Sequence, residues 1–138
     1  MQEYKILIAE DDEDDQFLME SAFEDLGESY TYEFVKDGEL LKKKLENEKL
    51  PSILMMDLNM PKIDGREMLK YIKSSKNMQH LPVLIISTSA AEPEIKNAYA
   101  MGAAAYFVKP SNFDDLVKML KNITGFYFEA AKLSDDNS

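Results

Sequence analysis

The chain has no cysteine, no tryptophan and one histidine in 138 residues. Without thiols it can form neither disulfides nor thiolate zinc centres. The lone histidine, His80, stands in "NMQHLP". A phosphotransfer histidine belongs on a long helix of a bundle, so His80 reads as a surface residue. No run of 18 apolar residues exists, so no membrane span is expected. The N-terminus lacks the basic start and small-residue cleavage site of a signal peptide. A soluble, cytoplasmic protein is the simplest expectation. Positive charge is also scarce. Sixteen Lys and Arg face 26 Asp and Glu, for a net charge of −10. Such a surface repels nucleic acid, so no nucleic-acid or membrane partner is expected.

What is present is 45% hydrophobic and 30% charged, enough apolar material for one packed core. The nine Met residues read as core filler, with no metal-ligand spacing. Residues 1–133 read as a single domain with an extended C-terminal helix, and 134–138 as a polar, flexible tail. No repeat, linker or low-complexity tract divides the chain.

Short apolar runs alternate with helical patterns. Strand-like runs fall at 4–9, 30–35, 52–57, 82–87 and 104–109. Helical spacing falls at 14–26, 38–49, 65–75, 92–102 and 111–123. Gly27 suits a helix stop and Pro93 a first turn. Five strands alternating with five helices imply an α/β fold: a doubly wound parallel sheet with helices on both faces. The run 30–35 alternates like a strand nearer a sheet edge, while the first, third and fourth runs suit central positions.

In such sheets the functional edge lies past the C-terminal ends of the strands. Glu10 and Asp11 follow the first strand, Asp57 ends the third, Ser87 the fourth and Lys109 the fifth. Three carboxylates on one edge repel one another unless a cation offsets them. An all-oxygen donor set suits Mg2+. With Lys109 and the Ser87 hydroxyl, these are the parts needed to form and hold an acyl phosphate on Asp57. The remaining acids of "EDDEDD" fall in the first turn of the next helix, where its dipole favours negative charge. Glu13, Asp14 and Asp15 therefore read as capping or solvated residues. Asp12 stays open between cap and site.

Together, "ED" after "ILIA", "MMDLNMPKIDG" (55–65), "PVLIIS" (82–87) and "YFVKP" (106–110) resemble the receiver domain of two-component response regulators. The resemblance spans residues 4 to 124. It is of the stand-alone type, similar to cyanobacterial phytochrome response regulators, and it implies the flavodoxin-like strand order 2-1-3-4-5. It implies that Asp57 is the phosphoacceptor, with Glu10 and Asp11 as the acidic pair and Asp11 the more direct metal contact. It implies that Asn59 lends its backbone carbonyl to Mg2+. Ser87 and Lys109 would engage the phosphoryl group, Tyr106 would be the aromatic switch, and the side chains of Asn59 and Ser89 would tune its lifetime. Pro110 follows Lys109, as in the cis Lys–Pro junction common in that family. Two residues depart from the commonest pattern: Glu10 stands where Asp is more frequent, and Ser87 where Thr is.

The implied partners are a sensor histidine kinase or phosphotransfer protein and a downstream protein target. The aromatics Phe126, Tyr127 and Phe128 cannot all face one core. One or two of them would dock a partner or form a homodimer, or else pack on the domain's own body. Rival readings fit less well. A haloacid-dehalogenase-type phosphatase needs an Asp at position 59. A flavodoxin-like nucleotide binder needs a phosphate loop where six acids stand. Intact Asp57 and Lys109 argue against a degenerate receiver that binds partners without phosphorylation, and a phosphorylation assay decides it.

Overall fold

A computed structural model describes residues 3–27 and 31–134. Five parallel strands form one sheet: β1 (Lys5–Ala9), β2 (Thr31–Val35), β3 (Ile53–Met56), β4 (Val83–Ser87) and β5 (Ala105–Val108), in the order β2-β1-β3-β4-β5. Five α-helices join them: α1 (Glu13–Leu26), α2 (Gly38–Asn47), α3 (Gly65–Ser74), α4 (Glu92–Ala100) and α5 (Phe113–Thr124). This is the doubly wound, flavodoxin-like fold expected from the sequence. Tyr30 and the tail residues 135–138, which those expectations included, lie outside the described residues.

Alternation along the central strands builds two cores. Leu7, Leu54, Met56, Val83 and Ile85 pack with Leu41 and Leu45 of α2, Met68, Leu69 and Ile72 of α3, and Ala98 of α4. Ile6, Ile8, Ile53, Met55, Leu84 and Ile86 pack on the opposite face with Met19, Ala22 and Phe23 of α1 and Leu120 and Ile123 of α5. β3 and β4 are buried along their whole length, which explains their uninterrupted apolar sequence. β2 pairs with β1 alone and is only partly buried, as its alternation anticipates.

Side chains fix the helix entries. Asp12, Asp37, Asp64 and Asn112 cap α1, α2, α3 and α5, each accepting a backbone N–H from the first turn. Gly27 ends α1 at φ 64°, in the left-handed region where a side chain is strained. α4 has no side-chain cap, but Pro93 sits in its first turn.

The last helix differs from expectation. Beyond Thr124 the winding changes to a π-helix over Gly125–Ala130, and it stops short of residue 133. The looser winding accommodates the aromatic triplet. Phe128 stacks on Tyr4 at 4.3 Å between ring centroids. Tyr127 packs against the α1–α5 core, and Phe126 remains 58% exposed. Two of the three thus pack on the domain's own body.

Candidate functional site

The sheet register brings the sequence-distant acids together. Ala9 pairs with Val35 on one side and Met56 on the other, so Glu10 and Asp57 emerge side by side. Glu10 N–H donates to the Val35 carbonyl and Asp57 N–H to the Ala9 carbonyl, extending the ladder past the strand ends. Lys109 N–H donates to the Ser87 carbonyl at 2.7 Å, which carries the β4–β5 pairing to the same edge.

Glu10 and Asp57 are buried, while Asp11 is exposed. Carboxylate oxygens of Glu10, Asp11 and Asp57 all lie within 4.8 Å of one another. An unscreened group of this kind is unstable in a partly dry site. The Lys109 ammonium answers it, donating to Glu10 Oε1 at 2.7 Å, to Asp57 Oδ2 at 2.9 Å and to Asp15 Oδ2 at 3.0 Å. The other Asp57 oxygen, Oδ1, accepts the Asn59 backbone N–H at 2.9 Å. Residue 59 is thereby held against the same carboxylate.

Burial lifts the Glu10 carboxyl above its ordinary range, against the opposing pull of Lys109. Burial alone would weaken the Lys109 ammonium. Its bonds to Glu10, Asp57 and Asp15 prevail and hold it well above the usual lysine value.

The hydroxyls lie one step away. Ser87 is buried, and its Oγ accepts the Ser89 backbone N–H at 3.1 Å. Tyr106, half-buried in β5, donates its hydroxyl to the Ser89 carbonyl at 2.8 Å. Both therefore meet on the β4–α4 loop. The Glu94 carboxylate at the start of α4 pairs in turn with Arg66 of α3.

The edge thus collects Glu10, Asp11, Asp57, Asn59, Ser87 and Lys109, with Tyr106 joined through Ser89. Two sequence expectations need correction. No peptide bond among the described residues is cis, so the Lys109–Pro110 junction is trans. Asp15 is not merely a capping or solvated acid, because its carboxylate reaches Lys109. Helical spacing gives no signal for this, because Asp11 lies before the N-cap Asp12 and outside α1. His80 stands far along the chain, in the turn before β4, and lines a cleft of about 760 Å³ between α2 and the α3–β4 turn.

A hard cation fits this donor set. Among the described residues, the clustered ligands are three carboxylates with no histidine in the group.

The profile of the response regulator receiver domain matches residues 6–121. The chain is 32% identical over 127 residues to a probable methanogenesis regulatory protein, FilR2, of Methanothrix harundinacea, covering 88% of this chain and 82% of that one. It is 36% identical over 88 residues to the response regulator Rcp1 of Synechocystis, covering 64% and 60%. Among solved structures, the phosphorylated cyanobacterial phytochrome response regulator RcpA superposes with a TM-score of 0.90 at 31% identity, over 97% of this chain and all of that one. The Mn2+-bound form of Rcp1 superposes with a TM-score of 0.86 at 30% identity, over 96% and 99%.

Proposed function

We propose, from the premise that this chain belongs to the response regulator receiver domain family, that Asp57 accepts a phosphoryl group from a kinase phosphohistidine. Receiver domains are signalling domains, and this one would pass the signal to a protein partner by changing shape. The observation that carries the reading is the Lys109 ammonium 2.9 Å from an Asp57 oxygen, beside two further carboxylates within cation-sharing distance.

Glu10, Asp11 and Asp57 would hold Mg2+, with the Asn59 carbonyl beside them. Bound there, the ion would screen the charge between the incoming phosphoryl group and the carboxylate. The Mn2+-bound state of Rcp1 supports that assignment by likeness. The transfer breaks the phosphorus–nitrogen bond of the donor and forms a phosphorus–oxygen bond to Asp57. The electron pair returns to the imidazole. Lys109 holds the ammonium where negative charge gathers on the phosphoryl oxygens. Ser87 then donates its hydroxyl to one of those oxygens and gives up its bond from Ser89. Tyr106, tied to the same Ser89, shifts with it. The surface of α4, β5 and α5 follows, as a shift between two populations. Asn59 and Ser89 flank the acyl phosphate and set its lifetime. Donor and target would both be cytoplasmic: a sensor histidine kinase or phosphotransfer protein, and a downstream protein. Of the aromatic triplet, Phe126 alone keeps enough exposure to contribute to a homodimer or partner contact.

The test is intact mass after incubation with acetyl phosphate and Mg2+. The wild type gains one phosphoryl group, and Asp57→Asn and an EDTA-treated sample gain none. A wild type that stays unmodified with acetyl phosphate, with phosphoramidate and with a panel of histidine kinases overturns the reading.

A further inference from the structure

A lysine ammonium has three N–H donors, and each of those on Lys109 finds a carboxylate. The three partners are not equivalent. Glu10 and Asp57 also belong, with Asp11, to the oxygen cluster. Asp15 lies outside that cluster and serves Lys109.

The cap of α1 points the same way. Asp12 is the N-cap and accepts the Asp15 N–H at 3.0 Å. A side chain at the Asp15 position commonly turns back to the N-cap N–H, closing a capping box. Here the Asp12 N–H donates instead to Glu10 Oε2 at 3.1 Å. The Asp15 carboxylate turns the other way, to a lysine 94 positions later in the chain.

We infer that Asp15 is a positioning residue that holds the Lys109 ammonium over Asp57. The inference rests on the phosphoacceptor reading above. During transfer, Asp57 is consumed as a partner and Glu10 is shared with the cluster. The tie to Asp15 persists. Without it, the lysine's flexible four-carbon stem loses its remaining fixed anchor. A competing effect has the opposite sign: Asp15 adds negative charge beside an anionic donor. Asp15 is partly exposed and paired with the ammonium at 3.0 Å, so water and the lysine together screen that charge, and loss of position outweighs relief of repulsion.

The experiment measures the phosphorylation rate with acetyl phosphate and Mg2+ for Asp15→Asn, Asp15→Glu and Asp14→Asn. Asp15→Asn is made in both the wild-type and the Lys109→Ala backgrounds. Asp15→Asn slows the wild type about five-fold, the loss expected for one half-exposed ion pair. Asp15→Glu restores most of the rate. Asp14→Asn, which removes the same charge from the same exposed helix turn, leaves it unchanged. In the Lys109→Ala background, Asp15→Asn adds no further loss. An Asp15→Asn rate equal to or above wild type overturns the inference, and so does equal slowing in both backgrounds. A wild type that takes no phosphoryl group at all overturns the functional reading instead. The Lys109 side-chain ammonium signal in a nitrogen-15 NMR spectrum, at saturating Mg2+, then decides the positioning claim. A signal present in wild type and lost in Asp15→Asn upholds it, and an unchanged signal overturns it.

Discussion

Lys109 Nζ stands 2.7 Å from Glu10 Oε1, although 99 positions separate the two residues. Glu10 is 3% exposed, so water screens that carboxylate poorly. Removing the ammonium leaves Glu10 and Asp57 facing each other without compensation. Breaking a fully buried pair costs about 3–5 kcal/mol, and the partial exposure of Lys109 trims this to about 2–3 kcal/mol for Lys109→Met. Urea unfolding in EDTA measures the loss, and millimolar Mg2+ narrows the gap by supplying positive charge again. A Lys109→Met protein as stable as wild type would show that the acids are screened by other means.

Glu10 makes stability depend on pH in a direction unusual for a paired acid. Burial raises its carboxyl above the ordinary 4.5 in the folded state. Between that value and the raised one, the native protein binds more protons than the unfolded chain. Stability contributed by this residue therefore falls as pH rises through the window. Glu10→Gln has no such proton to lose. In metal-free buffer, the wild type should lose stability relative to Glu10→Gln as pH rises above about 4.5 toward the raised value. Parallel pH profiles for the two proteins would mean that Lys109 fully offsets the burial.

The fold was legible because its signals are redundant. Uninterrupted apolar runs such as Ile53–Met56 cannot serve a half-exposed strand, and the alternation with helical spacing leaves a parallel sheet as the simple solution. Once the sheet is parallel, Glu10, Asp57, Ser87 and Lys109 must share an edge. Less legible were features decided by tertiary competition. A carboxylate in the first turn of a helix suits that turn equally well whether it faces water or a lysine, and composition cannot tell Asp14 from Asp15. The π-winding after Thr124 was hidden for the same reason. Phe128 leaves regular helix to reach Tyr4, and Tyr4 lies at the other end of the chain. The Ser89 carbonyl, to which Tyr106 donates, is a backbone atom and carries no sequence signal.

That Tyr106–Ser89 bond is the physical link between β5 and the loop carrying the Ser87 partner. Tyr106→Phe removes one half-buried hydrogen bond and little volume, so global stability drops by only about 1 kcal/mol. The larger effect is local. Amides of residues 88–91 exchange faster in Tyr106→Phe than in wild type, while those of β3 do not change. Uniform acceleration across the sheet would instead assign Tyr106 a general packing role.

Gly65 opens α3 directly beneath the loop that begins at Asp57. A Cβ there would stand 2.5 Å from the Asp57 carbonyl oxygen and 2.7 Å from Leu58 Cα. Both are backbone atoms, so no side chain can swing aside. Two effects compete in Gly65→Ala. Helix propensity favours alanine by at most about 1 kcal/mol. Overpacking against a fixed backbone costs about 1–3 kcal/mol, and the propensity gain at a first helical residue is smaller than in the interior. The clash wins. The atom that yields is the carbonyl of Asp57 itself, so the damage extends beyond stability to the position of the carboxylate. Gly27→Ala provides the contrast. Nothing lies within 4 Å of the added carbon, and the strain comes only from its φ of 64°, worth about 1 kcal/mol. Both variants unfold at lower urea than wild type, but only Gly65→Ala also weakens Mg2+ binding and slows phosphorylation. Equal Mg2+ affinity in Gly65→Ala and Gly27→Ala, at matched stability, would show that the loop after β3 can move away from α3 without displacing Asp57.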